Sequence, residues 1–325
     1  MDVDALVRGV LAGDRRAVAR AISAVEDGAD DLEALSEGIF ASTGRAATIG
    51  LTGAPGVGKS TLAAGLVRVG RARDLRAAVL AVDPTSPYTG GALLGDRVRM
   101  QEHATDPSVF IRSMATRGHL GGMALAAPEA VRILDAAGYD RVVVETVGVG
   151  QAEVDVAAAT DTAVVVLAPG MGDAVQMAKA GILEVADVFV VNKADREGSR
   201  EVVRELHQML HLGAARDWDP PVLTASAVGR DASDGIDEVW EAIESHRAHL
   251  EASGALGSKR RARLLREVEA LAAARLHIEV ARALDADPAL ADDLVERRTD
   301  PYRAAAMLIR RATGQGPRGG PRRDG

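Results

Sequence analysis

Gly53-Ala54-Pro55-Gly56-Val57-Gly58-Lys59-Ser60 is a full match to G-x-x-x-x-G-K-[ST], and its flanks decide the fold. The apolar run Ala47-Thr48-Ile49-Gly50-Leu51 precedes it, and the helix-prone run Thr61-Leu62-Ala63-Ala64-Gly65-Leu66-Val67 follows. Strand, glycine turn and helix are the context a phosphate-binding loop requires. The glycines let successive N–H groups converge on one anion, and the helix N-terminus adds the positive end of its dipole. Lys59 then reaches the outer phosphates, and the Ser60 hydroxyl is a ligand for Mg²⁺.

Outward from that loop, short apolar runs alternate with helical stretches. The runs are Ala47–Leu51, Ala77–Val82, Ser108–Ile111, Arg141–Glu145, Ala163–Leu167, Val188–Val191 and Val222–Thr224. Most are continuous rather than alternating, as in strands buried on both faces of a parallel sheet. The expected fold is α/β: a doubly wound, mostly parallel sheet with right-handed crossovers and its chemistry in the loops beyond the carboxyl ends of the strands. Leu6, Val10, Leu11, Val18, Ile22 and Val25 predict an N-terminal helical segment, broken at Asp27-Gly28-Ala29-Asp30. Leu264, Val268, Leu271 and Ile278, then Leu290, Leu294, Ala304, Met307 and Leu308, predict a C-terminal helical extension. The Gly/Pro/Arg-rich end, from Gly314, reads as disordered.

Composition narrows the function. A formal net charge of −8 argues against a general nucleic-acid binder. The absence of cysteine removes disulfides, thiolate metal sites and cysteine nucleophiles, and fits a reducing compartment. No run is long enough to span a membrane, and Met1-Asp2-Val3-Asp4 does not open a signal peptide, so the expectation is a cytoplasmic protein. With aromatics at 2% of the chain, Ala, Val and Leu must fill the core.

Later motifs fall in a fixed order. Asn192-Lys193-Ala194-Asp195 closes the run Val188–Val191 and resembles the N-K-x-D base-recognition motif of GTPases. A carboxylate at Asp195 accepts from both the ring N–H and the 2-amino group of guanine, a donor pair that adenine lacks. Asn192 would brace the loops and the Lys193 stem would cover the base. Thr224-Ala225-Ser226-Ala227, followed by Val228, resembles the second base-contact motif, in which a backbone N–H meets the guanine carbonyl oxygen. Glu145-Thr146-Val147-Gly148 stands where GTPases usually carry Asp-x-x-Gly, with Gly148 placed to offer its N–H to the γ-phosphate. Gln151 lies a few residues on and is a candidate for orienting water, as are Glu145 and Asp96. Asp83, before Pro84, and Asp96, after a glycine-rich loop, suit a Mg²⁺-bound triphosphate or cap a turn and a helix. Pro169-Gly170-Met171-Gly172-Asp173 precedes a helix with Gln176 and Lys179, a loop long enough to move or simply a connection. His207 and His211 are four apart, yet the residues between do not give H-E-x-x-H and no third ligand is in view.

Together with Arg112-Ser113-Met114-Ala115-Thr116-Arg117-Gly118 and Glu145-Thr146-Val147-Gly148-Val149-Gly150-Gln151, these motifs resemble the MeaB/ArgK family of P-loop GTPases, whose human relative is the methylmalonic aciduria type A protein. The resemblance is strong over residues 40–250 and looser in the flanking helices, where Asp300-Pro301-Tyr302 also fits. It implies GTP hydrolysis to GDP and a chaperone of adenosylcobalamin-dependent methylmalonyl-CoA mutase that gates cofactor loading and protects the mutase, with a cobalamin adenosyltransferase as a further partner. It implies Mg²⁺ and triphosphate contacts at Lys59, Ser60, Asp83, Asp96 and Glu145, and a mobile element at Asp173, Gln176 and Lys179 that couples nucleotide state to the mutase. It also implies a homodimer joined through the C-terminal extension. The expected organisation is residues 1–45 as N-terminal helices, 46–247 as the GTPase domain, 248–313 as the extension and 314–325 as the tail. The alternative is a related metallochaperone-type GTPase for another metalloenzyme, or a transport-linked regulatory NTPase. A nickel-delivering relative would carry Cys or dense His clusters, which are absent.

Overall fold

The computed structural model describes residues 2–29, 31–84, 105–116, 122–146, 156–170, 182–212, 216–226 and 235–314. The strands are β1 (Ala47–Thr52), β2 (Ala77–Pro84), β3 (Val109–Thr116), β4 (Arg141–Thr146), β5 (Thr162–Leu167), β6 (Val188–Asn192) and β7 (Val222–Ala225). They form one sheet in the order β3-β2-β4-β1-β5-β6-β7, with every pairing parallel. β1, β5 and β6 are buried at every position, so both faces of these strands are covered. The chain builds outward on one side of β1 and then, after β4, on the other. The carboxyl end of β1 therefore lies where the strand order reverses, the ligand position in open α/β sheets.

β3 runs beyond the Ser108–Ile111 expected from hydropathy. It pairs with β2 in register from Ala77↔Val109 to Pro84↔Thr116, which draws the polar Arg112 and Ser113 into a strand. Arg112 leaves the sheet for the N-terminal helices. Its guanidinium donates to Ser23 Oγ (2.8 Å) and Ala19 O (3.2 Å) and pairs with Glu26.

Two helical layers cover the sheet. On one face lie α1 (Val3–Leu11), α2 (Arg15–Asp27), α3 (Leu32–Phe40) and α5 (Gly122–Ala136). Their buried Leu6, Val10, Ile22, Leu35, Ile39 and Ile133 meet Leu80, Val82, Val142 and Val144. Asp2 and Asp14 cap α1 and α2 by accepting from Ala5 N (2.9 Å) and Ala17 N (2.7 Å). Gly28 ends α2 in the left-handed conformation, at the break read from sequence. Beyond β5, the short α6 (Ile182–Val185) and then α7 (Ser199–Leu212) follow, and Leu206 of α7 joins Val165, Leu167, Phe189 and Val191. On the opposite face, α4 (Lys59–Ala72) and α8 (Ile236–Ala252) bury Leu62, Leu66, Ile236, Val239, Trp240 and Ile243 over Ile49, Leu51, Val79, Val143, Val164 and Val166.

At the amino ends of the strands, the core is closed by charge. Asp161, 2% exposed, accepts from Thr48 N (3.2 Å), Arg260 Nε (3.1 Å), Arg260 Nη2 (2.6 Å) and Arg263 Nη1 (3.3 Å). Arg260 also donates to Gly44 O and Ala46 O, so the start of α9 (Ala255–Asp285) is held against the entry to β1. Burial pushes the Asp161 carboxyl up, but its bond to Arg260 and the nearby Arg263 outweigh this and hold it below the usual carboxylate range. Beside it, His246 is buried between Thr162 Oγ1 (2.9 Å from Nδ1) and Asp187 Oδ1 (3.3 Å from Nε2), with Trp218 tilted against the ring. Burial pushes its pKa down, against the pull of Asp187, which favours the neutral ring.

The chain forms two compact units, Met1–Leu264 and Leu265–Gly325, and the division falls inside α9. In the second unit α10 (Ala289–Val295) and α11 (Pro301–Ala312) pack Leu290, Ala304 and Leu308 on Val280 and Ala283. Asp300 caps α11 by accepting from Tyr302 N and Arg303 N, and Pro301 occupies a first-turn position that needs no N–H partner. No helix among the described residues is long and apolar enough to cross a membrane.

Both depressed pKa values have the same sign of linkage. The unfolded chain binds protons that the folded groups refuse, so stability is full above the unfolded pKa and is lost as pH falls toward the folded one. Thermal unfolding is expected to weaken first below about pH 6.5, through His246, and again below about pH 4, through Asp161. His246→Gln removes the first step only. Asp161→Asn, by leaving Arg260 and Arg263 without their carboxylate, lowers stability by about 3 kcal/mol.

Candidate functional site

The loop after β1 and the first turn of α4 form the centre of the site. Gly58 stands at the N-cap of α4 with φ +100°, and Lys59 begins the helix. The Lys59 side chain is 6% exposed, and its Nζ donates to Gly53 O (2.5 Å) and Ala54 O (3.1 Å), folded over its own loop. Pro55 and Gly56 are exposed at the loop's crest, whereas Val57 is buried beneath it. Ser60 and Thr61 follow in the first helical turn, both half-buried.

On the neighbouring strand, Glu145 lies level with Leu51 and is 1% exposed. The hydroxyls of Thr52 and Thr146, at the ends of β1 and β4, are buried and have no hydrogen-bond partner among the described residues. Asp83 lies on β2, level with Ala115 of β3, two residues past the position facing Glu145. The carboxyl ends of β1 and β4 thus bring the Thr52 and Thr146 hydroxyls and the Glu145 carboxylate to the end of the sheet from which the phosphate loop starts, oxygen donors of the kind a hard divalent cation takes.

The second half of the site comes from β6 and β7. Asn192 is 2% exposed, and its Nδ2 donates to Val57 O at 2.8 Å. Lys193 adopts φ +57° and donates from Nζ to Gly56 O at 2.6 Å. Both residues therefore hold the phosphate loop directly. Asp195 accepts from Ser226 Oγ (3.2 Å), while Ala194 N donates to Ala225 O (3.1 Å), joining the two segments expected from sequence to contact the base. A pocket of about 560 Å³ opens here, lined by Ala194, Asp195, Leu223, Thr224, Ala225, Ser226, Gly235 and Glu238.

Two of those residues, Gly235 and Glu238, are not foreseen by motif. Gly235 has φ +83°, and a Cβ there would fall 2.0 Å from Thr224 O, so only glycine lets α8 start this close to β7. A glycine just ahead of the periodic Ile236, Val239, Trp240 and Ile243 was the available signal. Asp96, Gly148, Gln151, Asp173, Gln176, Lys179, Ala227 and Val228 lie outside the described residues. His207 and His211 are exposed on α7, and no group of three His, Cys, Asp or Glu residues suited to a metal occurs among the described residues.

Fold and loop together define a P-loop nucleotide-binding protein of the doubly wound class. The chain belongs to the MeaB family: the family model, described as methylmalonyl Co-A mutase-associated GTPase MeaB, matches residues 18–285. A Pyrococcus horikoshii protein named as a GTPase is 46% identical over 318 residues, 96% of this chain and 99% of that one. The Escherichia coli GTPase ArgK is 40% identical across 77% of each chain. The mitochondrial methylmalonic aciduria type A homolog of Mus musculus is 36% identical, over 79% of this chain and 66% of its own. Among solved structures, a LAO/AO transport system kinase superposes with a TM-score of 0.67 at 28% identity, covering 94% of this chain and 96% of the other. The chain is a GTP-binding, GTP-hydrolysing enzyme of this family.

Gly58→Ala tests the clamp between the two halves. A Cβ there would stand 2.3 Å from Asn192 Nδ2, at a φ that L-residues rarely adopt. The variant is expected to bind fluorescent GDP at least about tenfold more weakly, one charge-assisted or buried hydrogen bond's worth, while its far-UV circular dichroism is retained.

Proposed function

We propose that the enzyme is a GTP-driven chaperone of adenosylcobalamin-dependent methylmalonyl-CoA mutase, or of a closely related acyl-CoA mutase, gating cofactor loading and protecting the mutase. The observation that carries the nucleotide part is the Asn192–Val57 bond, which ties a guanine-reading segment to the phosphate loop. The partner is supported by the family description, which names methylmalonyl Co-A mutase, and by the methylmalonic aciduria name of the mouse relative. A cobalamin adenosyltransferase is a further candidate partner, and the cytoplasm the proposed compartment.

In this reading the backbone N–H groups of Gly53, Ala54, Gly56, Val57 and Gly58 cradle the β-phosphate, Pro55 shapes the turn without donating, and Ser60 and Thr61 stand at the helix end beside them. Lys59 exchanges the carbonyls of Gly53 and Ala54 for β- and γ-phosphate oxygens. Ser60, Asp83, Asp96 and Glu145 would hold Mg²⁺, which when bound would supply positive charge against that developing on the phosphate oxygens. Asp195 accepts from guanine, the backbone around Ser226, Ala227 and Val228 meets its carbonyl oxygen, and the Lys193 stem covers the ring. Glu145, Asp96 or Gln151 places the attacking water. Its oxygen bonds to the γ-phosphorus, the bond from that phosphorus to the bridging oxygen breaks, and GDP leaves with the electron pair while the water's proton passes to phosphate. Gly148 then loses its γ-phosphate contact, and the loop carrying Asp173, Gln176 and Lys179 transmits the change to the mutase.

Leu264, Val268, Leu271 and Ile278 of α9 are all at least 40% exposed, an apolar stripe at coiled-coil spacing that supports a homodimer through the C-terminal extension. Sedimentation is expected to give a dimer, and Val268→Glu with Leu271→Glu a monomer.

GTP turnover by the purified enzyme should be slow alone and accelerated by the mutase, with ATP inert. Lys59→Ala abolishes it, and Glu145→Gln lowers it about 100-fold with GDP binding retained. Turnover indifferent to the mutase would remove that partner. Label from the γ-phosphate appearing on an acceptor instead of as free phosphate would favour the transport-kinase reading carried by the solved relative.

A further inference from the structure

From the pocket wall we infer that Glu238 is a second base-reading carboxylate, accepting the outer N–H of the guanine 2-amino group. The inference rests on the reading of the Asp195 pocket as the base site. The direction in which α8 presents its first turn leads to it. Ile236, Val239, Trp240 and Ile243 are buried and set the inward face. Asp237 and Glu241, one turn apart, both turn to Arg73, at 3.7 and 2.7 Å. Glu238 belongs to neither group. It is exposed, makes no hydrogen bond or ion pair among the described residues, and lines the pocket with Asp195 and Ser226. The close seat of Gly235 on Thr224 O fixes where that turn begins.

Among the described residues, the pocket wall carries these two carboxylates and no lysine or arginine. The nearest motif cation, Lys193, is spent on Gly56 O. Such a wall disfavours acidic ligands and suits a neutral, donor-rich edge. Guanine has three N–H donors on that edge. One carboxylate accepts the ring N–H and the nearer amino N–H, as Asp195 is placed to do. The remaining amino N–H points away from the ring N–H and needs a separate acceptor, which Glu238 supplies. Hypoxanthine and adenine lack the 2-amino group and leave Glu238 facing only C–H. The residue therefore adds discrimination that Asp195 does not provide by itself.

A first-turn glutamate also stabilises its helix through the dipole, so the test separates the two roles. Affinities of the full chain for GDP, IDP, XDP and 2′-deoxy-GDP are measured by displacement of fluorescent GDP, for the unmodified enzyme and for Glu238→Ala, Glu238→Gln and Asp195→Asn. Glu238→Ala is expected to weaken GDP about tenfold and leave IDP within about twofold, so that the GDP-over-IDP preference falls about tenfold. Glu238→Gln keeps an acceptor oxygen and retains most of that preference. Equal weakening of GDP and IDP in both variants would assign Glu238 to the helix and overturn the inference. So would an unchanged GDP-over-IDP preference alongside a lost preference for GDP over its 2′-deoxy form, which would place Glu238 on the ribose. Asp195→Asn is expected to gain XDP binding; if it gains none, the base-site reading itself fails, whatever Glu238 does.

Discussion

One buried hydrogen bond, from Asn192 Nδ2 to Val57 O, decides how the site works. The phosphate loop needs its N–H groups aimed at an anion, which exposes its carbonyls on the other side. Asn192 takes one of those carbonyls, Lys193 takes another at Gly56, and Lys59 holds those of Gly53 and Ala54. The loop shape is thus held from outside by the same segment that ends in Asp195. Anything that displaces the segment Asn192–Asp195 also releases a carbonyl of the phosphate loop, where a buried unmet acceptor costs about 1–3 kcal/mol. In the proposed reading, recognition of base and phosphate is mechanically one event.

The opposite end of the sheet is built on the same economy of polar groups. Asp161 joins the backbone of β1 at Thr48 to Arg260 and Arg263 of α9, while Asp187 joins Ala163 N, Lys259 and His246. These carboxylates close the amino ends of β1, β5 and β6, leaving the carboxyl ends to the reactive loops. The first turns of α9 are part of the GTPase core for this reason, although the remainder of the helix belongs to the second unit. Arg112 plays a comparable role at the β3 edge, where its bonds to α2 hold the N-terminal helices on the sheet.

Much of the site was legible before any coordinates. Gly53–Ser60 and Asn192–Asp195 announce themselves because their chemistry is local: backbone conformation, a lysine, a carboxylate, each at fixed spacing. Glu145 was legible as the end of an apolar run. That Gly235 and Glu238 border the pocket beside Asp195 was not, because an exposed acid in a helical first turn looks like an ordinary N-terminal charge. The polar end of β3 was missed for a related reason: Arg112 and Ser113 enter the sheet through pairing with β2, which hydropathy does not record.

Local sequence was enough for the phosphate loop, for the alternation of buried strands with helices, and for the residues proposed to read guanine. Each depends on neighbours within a few positions, and local periodicity and turn chemistry report such relations directly. Only the tertiary structure decided that β4 lies beside β1 and brings Glu145 level with Leu51, and that Asn192 finds Val57 across 135 residues of chain. It also decided that Asp161 meets Arg260 and that Glu238 of α8 lines a pocket together with Asp195. These are contacts between distant segments, set by which faces the sheet order buries together, and no spacing along the chain encodes that order.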